Sequence, residues 1–326
     1  MSRPRAPVHW ALRFIRRACR VIERISPALA ARLVGPAMFR TRRRRIPPRE
    51  RRAFGPATPF VVSGGFGTVK GARFGQAGPV VLLVHGWNGD GIQLGAFAEP
   101  LVAAGFQVVA FDAPGHGASS GGHSSLVAFA DAFDAVVAAS TGEAPLRGVV
   151  AHSFGGASVA FALARRNETV AHAGEPKPSN ESPRLVFIAT PIDIHEFAGA
   201  FAALLGLGEA TRRHLDAFVE ARLGRPLTDF DALRIAARMR APLLVIHDEQ
   251  DRAVPVGAGR KLAGAWPEAT LRVTQGLGHG RILRHPDIVR DTVAFITAAI
   301  RPAVDDPSGG THTPVLSGFG LEEVPT

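Results

Sequence analysis

Tyrosine is absent from the 326-residue chain, lysine occurs only as Lys70, Lys177 and Lys261, and the one cysteine is Cys19. A single thiol excludes an internal disulfide and any zinc site built on several thiolates, and it fits a reducing compartment. Also missing is any run of about 18 apolar residues, so no segment is expected to span a bilayer. The N-terminus lacks a clean apolar stretch of the signal-peptide kind, so no such peptide is expected. No internal repeat is visible, and nothing calls for a metal or an organic cofactor. What the chain does have is 46% apolar residues in evenly spread runs. At this length it buries roughly three quarters of its unfolded surface and needs no staples.

The net charge of +10 is placed unevenly. Residues 1–52 hold 16 arginines against Glu23 and Glu50, while the rest of the chain has a slight acidic surplus. Charge-based partners therefore belong to this N-terminal arm. The spacing predicts an amphipathic helix over 9–34, kinked or restarted at Pro27. Arg13, Arg16, Arg17, Arg20 and Arg24 share one arc of it; Phe14, Ile15, Cys19, Val21, Ile22 and Ile25 lie opposite. Such a helix either rests on an anionic membrane surface or lays its apolar face on the body of the protein. Nucleic acid is not an expected partner, because no base-reading motif or interleaved aromatics accompany the charge. Thr41–Pro48, with four arginines and two prolines, reads as a linker. The expected organisation is an arm and linker over 1–52, a globular body over 53–301, and a disordered tail over 302–326 rich in Pro, Gly and Thr.

Within the body, strands and helices alternate. Continuous apolar runs at Val80–Val84, Val108–Phe111, Val149–Ala151, Leu185–Ala189 and Leu243–Ile246 suit strands buried on both faces. Leu271–Thr274 is a weaker sixth, and 61–70 with 72–74 forms a short hairpin or meander ahead of them. Helices are expected at Leu94–Ala104, Leu126–Ala139, Gly156–Arg165, Val256–Ala265 and Ile288–Ile300. This rhythm implies a mostly parallel sheet with helices on both faces. Asn167–Pro183 reads as a polar surface loop. The long helical stretch 192–239, apolar at Phe197, Phe201, Leu204, Leu205 and Leu207, is the candidate cap.

The strongest chemical signal is Val149-Val-Ala-His-Ser-Phe-Gly-Gly156. An apolar strand runs into Ser153, small residues stand at Ala151 and Gly155, and a helix follows. A sharp strand-to-helix turn of this kind strains the backbone, needs small neighbours, exposes the hydroxyl and aims the first helix amides at any oxyanion formed there. A serine helix cap is the plain alternative, and it weakens as further elements follow in order. Val81-Leu-Leu-Val-His-Gly-Trp-Asn88 ends a strand in His85-Gly86. Asp112-Ala-Pro-Gly-His-Gly117 makes a tight turn. His247-Asp-Glu-Gln-Asp251 ends a late strand in carboxylates, and Gly276-Leu-Gly-His-Gly280 places His279 in a glycine-flanked loop. Serine, acid and histidine in that chain order make a nucleophile, an orienting group and a base.

Over residues 60 to 300 these elements resemble the α/β-hydrolase fold. The resemblance implies a twisted sheet of about eight strands under a helical cap, with Ser153 as nucleophile, His279 as base and Asp251 orienting it. Backbone amides of Trp87 and Phe154 would form the oxyanion hole, supported by His85, Gly86, Ala151 and Gly155. Alanine at 151 departs from the usual glycine of the elbow. The following Val254-Pro255 favours Asp251 over Asp248 as the acid. Glu249 is expected to face solvent; His85, His116 and His152 to serve as structural donors; His285 to cap a helix; and Asp112 to hold its turn. Serine at the elbow, where related epoxide hydrolases and dehalogenases carry aspartate, points to acyl transfer to water. Epoxide opening also draws on cap tyrosines, and this chain has none. The expected activity is therefore a serine hydrolase cleaving a carboxylic ester, thioester or amide of a small or medium apolar acyl substrate. The competing class is a non-catalytic member of the fold that binds or scaffolds. A cytoplasmic location is expected, peripheral to the inner membrane face if the arm is an anchor.

Overall fold

The computed structural model describes residues 8–46, 50, 57–142, 144–172 and 182–298. The expected tail beyond 301 and most of the expected polar loop, 173–181, lie outside them. The apolar runs become β3 (Val80–Val84), β4 (Gln107–Asp112), β5 (Leu146–His152), β6 (Arg184–Ile188), β7 (Leu243–Asp248) and β8 (Ala269–Thr274), preceded by β1 (Thr58–Gly64) and β2 (Gly67–Phe74). They form one eight-stranded sheet in the order β1-β2-β4-β3-β5-β6-β7-β8. Only the β1–β2 and β2–β4 pairings are antiparallel. All of Val80–Val84 is buried, and successive side chains alternate between two cores. Leu82 and Val84 join Phe129, Phe133 and Val159 on one face; Val81 and Leu83 join Phe97, Leu101 and Ile296 on the other. Strands covered on both faces have no polar side, hence the unbroken apolar runs in the sequence. After β3 the chain passes first to β4 on one side and then to β5 on the other. Such a reversal opens a crevice at the carboxyl ends of the strands.

In chain order the helices are α1 (Val8–Ile25), α2 (Pro27–Met38), α3 (Ala98–Ala103), α4 (Leu126–Thr141), α5 (Phe154–His172), α6 (Ile194–Leu205), α7 (Glu209–Leu223), α8 (Ala232–Ala236), α9 (Val256–Ala265), α10 (Gly278–Arg281) and α11 (Pro286–Thr297). Two expectations change. The front of the expected 94–104 helix is a 3₁₀ turn over Gly91–Phe97, whose first turn the Asp90 carboxylate caps through the Gln93 amide. Asn167–His172 continues α5 instead of opening a loop. The candidate cap consists of α6, α7, a 3₁₀ turn at Leu227–Phe230 and α8, all between β6 and β7.

Pro27 restarts the arm helix: it occupies the first turn of α2, and the Ser26 hydroxyl accepts from the Leu29 amide, the standard capping use of both residues. Both arm helices sit on the cap. A Cβ on Gly35 would lie 2.6 Å from the Phe218 ring of α7, so only glycine permits that approach. Arg16 donates to the Leu204 carbonyl at 2.7 Å, and Glu23 accepts from the Gly208 amide and the Thr211 hydroxyl, each at 2.6 Å. The apolar arc of α1 is thereby divided. Cys19 is buried, whereas Trp10, Phe14, Val21 and Ile25 are 73%, 69%, 57% and 76% exposed. Among the described residues no helix is long and apolar enough to cross a membrane.

Candidate active site

Ser153 stands between β5 and α5 with φ at 53°. A left-handed backbone at a residue with a side chain costs of order 1–3 kcal/mol and persists only where the surroundings enforce it. Here the Ser153 amide donates to the Ile188 carbonyl at 2.8 Å, and the Ser153 carbonyl accepts from Gly156 at 2.9 Å. The small neighbours are required by space. A Cβ at Gly155 would meet the His85 carbonyl oxygen at 2.5 Å, and one at Gly86 would meet the Ser153 Cβ at 2.8 Å. Ala151 is fully buried in β5.

The turn after β8 and the short helix α10, which holds His279 where a glycine-flanked loop was expected, bring the imidazole to the serine. Its Nε2 lies 3.1 Å from Ser153 Oγ, and its Nδ1 lies 2.7 Å from Asp251 Oδ2. The other Asp251 oxygen accepts from the amides of Ala253 and Val254 at 2.8 and 2.9 Å. Burial works to raise this carboxyl, but the His279 bond, the two amides and the His279 charge outweigh it and hold the group below the usual range. Asp248 is also buried, yet it binds elsewhere: Gln250 and Leu277 amides and the Thr274 hydroxyl donate to it at 2.9, 3.0 and 2.8 Å. It braces the His279 loop, and these bonds overcome burial to keep it ionised below the usual range. That bracing role was not legible beforehand, because two carboxylates three residues apart look alike in a sequence.

The buried histidines are donors. Nε2 of His152 donates to the His279 carbonyl at 3.0 Å, and burial followed by the His279 charge pushes His152 down to about 3. Nδ1 of His85 donates to the Gly86 carbonyl at 2.7 Å while its Nε2 accepts from Ala113 at 2.9 Å; burial pushes it down to about 4. Burial and then His85 bring His116 to about 4, with its Nδ1 donating to the Pro114 carbonyl. Asp112 ties the Gly91 and Ala118 amides across its turn. Glu249 is exposed and paired with Arg260. His285 takes the capping position of α11, but its side chain makes no capping bond.

Trp87 and Phe154 meet at the mouth of the crevice, their rings 5.1 Å apart and edge to face. The Trp87 amide donates to none of the described residues. Phe154 opens a 19-residue helix, whose first amides have no intrahelical partner and carry the positive end of its dipole. Beneath the cap is a cavity of about 400 Å³ walled by Trp87, Leu126, Phe154, Ile192, Phe197 and Phe230, with Ser153 and His279 on its surface. Phe197 is the one member of the expected apolar cap motif that lines it. The arrangement offers a hydroxyl beside a base, amides nearby and an apolar chamber. Among the described residues no group of three or more His, Cys, Asp or Glu side chains is arranged to hold a metal ion.

Known proteins resemble this chain. The model of a family described as "Alpha/beta hydrolase family" matches residues 81–292. A pimeloyl-[acyl-carrier protein] methyl ester esterase of Chromobacterium violaceum is 31% identical over 247 residues, covering 65% of this chain and 92% of its own length. A non-heme chloroperoxidase of Kitasatospora aureofaciens is 30% identical over 252 residues, covering 64% of this chain and 86% of its own. Among solved structures, one of a thermophilic esterase from Thermogutta terrifontis superposes with a TM-score of 0.52 at 18% identity, over 75% of this chain and 100% of its own. With the sheet order, the cap insertion and the matched span in agreement, the chain belongs to the alpha/beta hydrolase family.

Proposed function

We propose that this protein hydrolyses a carboxylic ester with a small or medium apolar acyl group, through an acyl-enzyme on Ser153. The observation that carries this reading is His279, which bridges Ser153 and Asp251 beside an apolar cavity. His279 Nε2 takes the hydroxyl proton as Oγ attacks the carbonyl carbon. The Trp87 and Phe154 amides receive the oxyanion, and Asp251 fixes the tautomer and stabilises the imidazolium. The imidazolium returns its proton to the leaving alcohol. Water, deprotonated by the same histidine, then attacks the acyl carbon, and the imidazolium returns that proton to Ser153 Oγ as the C–O bond breaks and the acid leaves. Thioesters and amides would follow the same steps. The esterase relatives support an ester as the bond cleaved.

A panel of p-nitrophenyl esters of graded chain length, run beside fluorophosphonate labelling, tests the reading. Hydrolysis of at least one ester, with label on Ser153, is expected. A chain that cleaves none and takes no label is the binding protein of the competing hypothesis.

A second reading concerns where the enzyme works. The exposed row Trp10, Phe14, Val21 and Ile25 lies beside exposed Arg13, Arg17, Arg20 and Arg24, an apolar ridge edged with positive charge. We propose that this face rests on an anionic lipid surface, where each arginine contributes about 1 kcal/mol and the ridge enters the headgroup boundary. Co-sedimentation with phosphatidylcholine vesicles containing phosphatidylglycerol is expected at low salt, and pure phosphatidylcholine should retain far less. Phe14→Ser with Ile25→Ser should lower the bound fraction at least tenfold. Equal recovery of this variant and wild type would remove the ridge from the account.

A further inference from the structure

Residues 41–46, which lead out of the arm, form a segment in no helix or strand, as a linker would be, yet it is fastened on both sides. Thr41 donates its hydroxyl to the Gly115 carbonyl at 2.7 Å, and the Arg43 guanidinium reaches the carbonyls of Gly117, Ser119 and Gly121. These hold it to the Asp112 turn. On its other side it meets the loop 85–90. The Arg42 amide donates to Asn88 Oδ1 at 2.7 Å, and Arg44 presents Nε and Nη2 to the two oxygens of Asp90, each at 2.8 Å.

We propose that Arg44 is a positioning residue for the oxyanion loop, holding Asp90 and through it the Trp87 amide at the serine. The proposal rests on the reading of Trp87 as an oxyanion donor. Three features carry it. The loop is short, fixed at its start by the His85–Ala113 bond and closed by the Gly89–Gly86 bond, so the anchoring of Asp90 at its end bears on where the intervening amides point. Asn88, next to Trp87, has a left-handed backbone at φ 57°, a conformation that survives only while its surroundings impose it. Asp90 is 1% exposed; without Arg44 its carboxylate would keep only the Gln93 amide among the described residues, and a buried charge stripped of its counterion rearranges or draws in water. Asp112 is close enough to matter: burial first, and Asp90 among the lesser causes, pushes its carboxyl up. Among the described residues Arg44 is the cation paired with Asp90. The matched family span begins at residue 81, so Arg44 belongs to a part of the chain outside it.

The test uses Arg44→Gln, Arg44→Lys and Asp90→Asn on the full chain. A misplacement near 1 Å in an active site costs about a hundredfold. In Arg44→Gln we expect kcat on an ester substrate to fall about 10- to 100-fold with KM within twofold. Affinity for a trifluoromethyl ketone, whose adduct on Ser153 bears an oxyanion, should weaken by a similar factor. Arg44→Lys should recover part of the loss, and adding Asp90→Asn to Arg44→Gln should add little. A folded Arg44→Gln with wild-type kcat and ketone affinity overturns the proposal, as does a loss seen in KM alone. If Arg44→Gln does not fold, Arg44→Lys is read by the same criteria. Amide hydrogen exchange over 86–90 is independent of turnover and is expected to rise in the variants. Wild-type exchange there overturns the proposal even if no ester is cleaved, whereas an inactive wild type with faster exchange in the variants removes only the hydrolytic reading.

Discussion

Ser153→Ala is expected to lower kcat for ester hydrolysis by about 10⁵- to 10⁶-fold, the scale seen when a nucleophile is removed from a cooperating set. The loss is large because neither partner can substitute. Asp251 is turned away into the Ala253 and Val254 amides and the imidazole, and among the described residues Ser153 carries the one hydroxyl within hydrogen-bonding distance of His279. The fold should survive. The serine is only half-buried, its hydroxyl serves no core contact, and alanine occupies the same backbone space. Steady-state rates and circular dichroism melts on the same preparation check both halves. A variant that keeps more than a hundredth of wild-type kcat would place the nucleophile elsewhere.

The second large effect is on stability toward acid. His85, His116 and His152 are held neutral in the fold, pushed by burial to about 4, 4 and 3, whereas in an unfolded chain histidine titrates near 6.5. Between about pH 6.5 and 4 the unfolded state therefore binds more protons, and stability falls as pH falls through that window. Each histidine removes up to ~1.4 kcal/mol per pH unit, so the three together remove roughly 4 kcal/mol. For a chain of this size that is about 6 °C in melting temperature per unit. Asp248 and Asp251, depressed in the fold, add their own loss only below about pH 4. Asp112, raised, works weakly the other way. Melts at pH 7.5, 6.0 and 5.0 check this, and a constant melting temperature across them would mean the three rings are charged in the native protein.

Much of this site was readable from the residues because its parts are local. A strand ending in a serine between small residues, and a glycine-flanked histidine after the last strand, each declare themselves within eight positions. The fold followed from the same source, since runs such as Val80–Val84 have only one comfortable place, the middle of a covered sheet. What escaped reading depends on pairs far apart in the chain. Arg44 is one of four consecutive arginines, and nothing local separates it from Arg45; only the fold brings it 46 positions forward to Asp90. The arm offered a choice between lying on the body and facing a membrane. Helical periodicity cannot decide this, because it describes an apolar arc without saying how much of it a neighbour covers. The protein divides that arc, with Cys19 inside and Phe14 outside.

The burial of Cys19 makes it useful. It is the only thiol in the chain, it lies 6% exposed in the core that takes in both arm helices and the cap, and burial with the nearby Glu23 raises its pKa. A thiol in that condition is inert until its cover opens. The protein thus carries a built-in clock. The rate at which a thiol-reactive dye reaches Cys19 counts how often the first helix lifts from the cap, with no label engineered in and no second cysteine to confuse the signal.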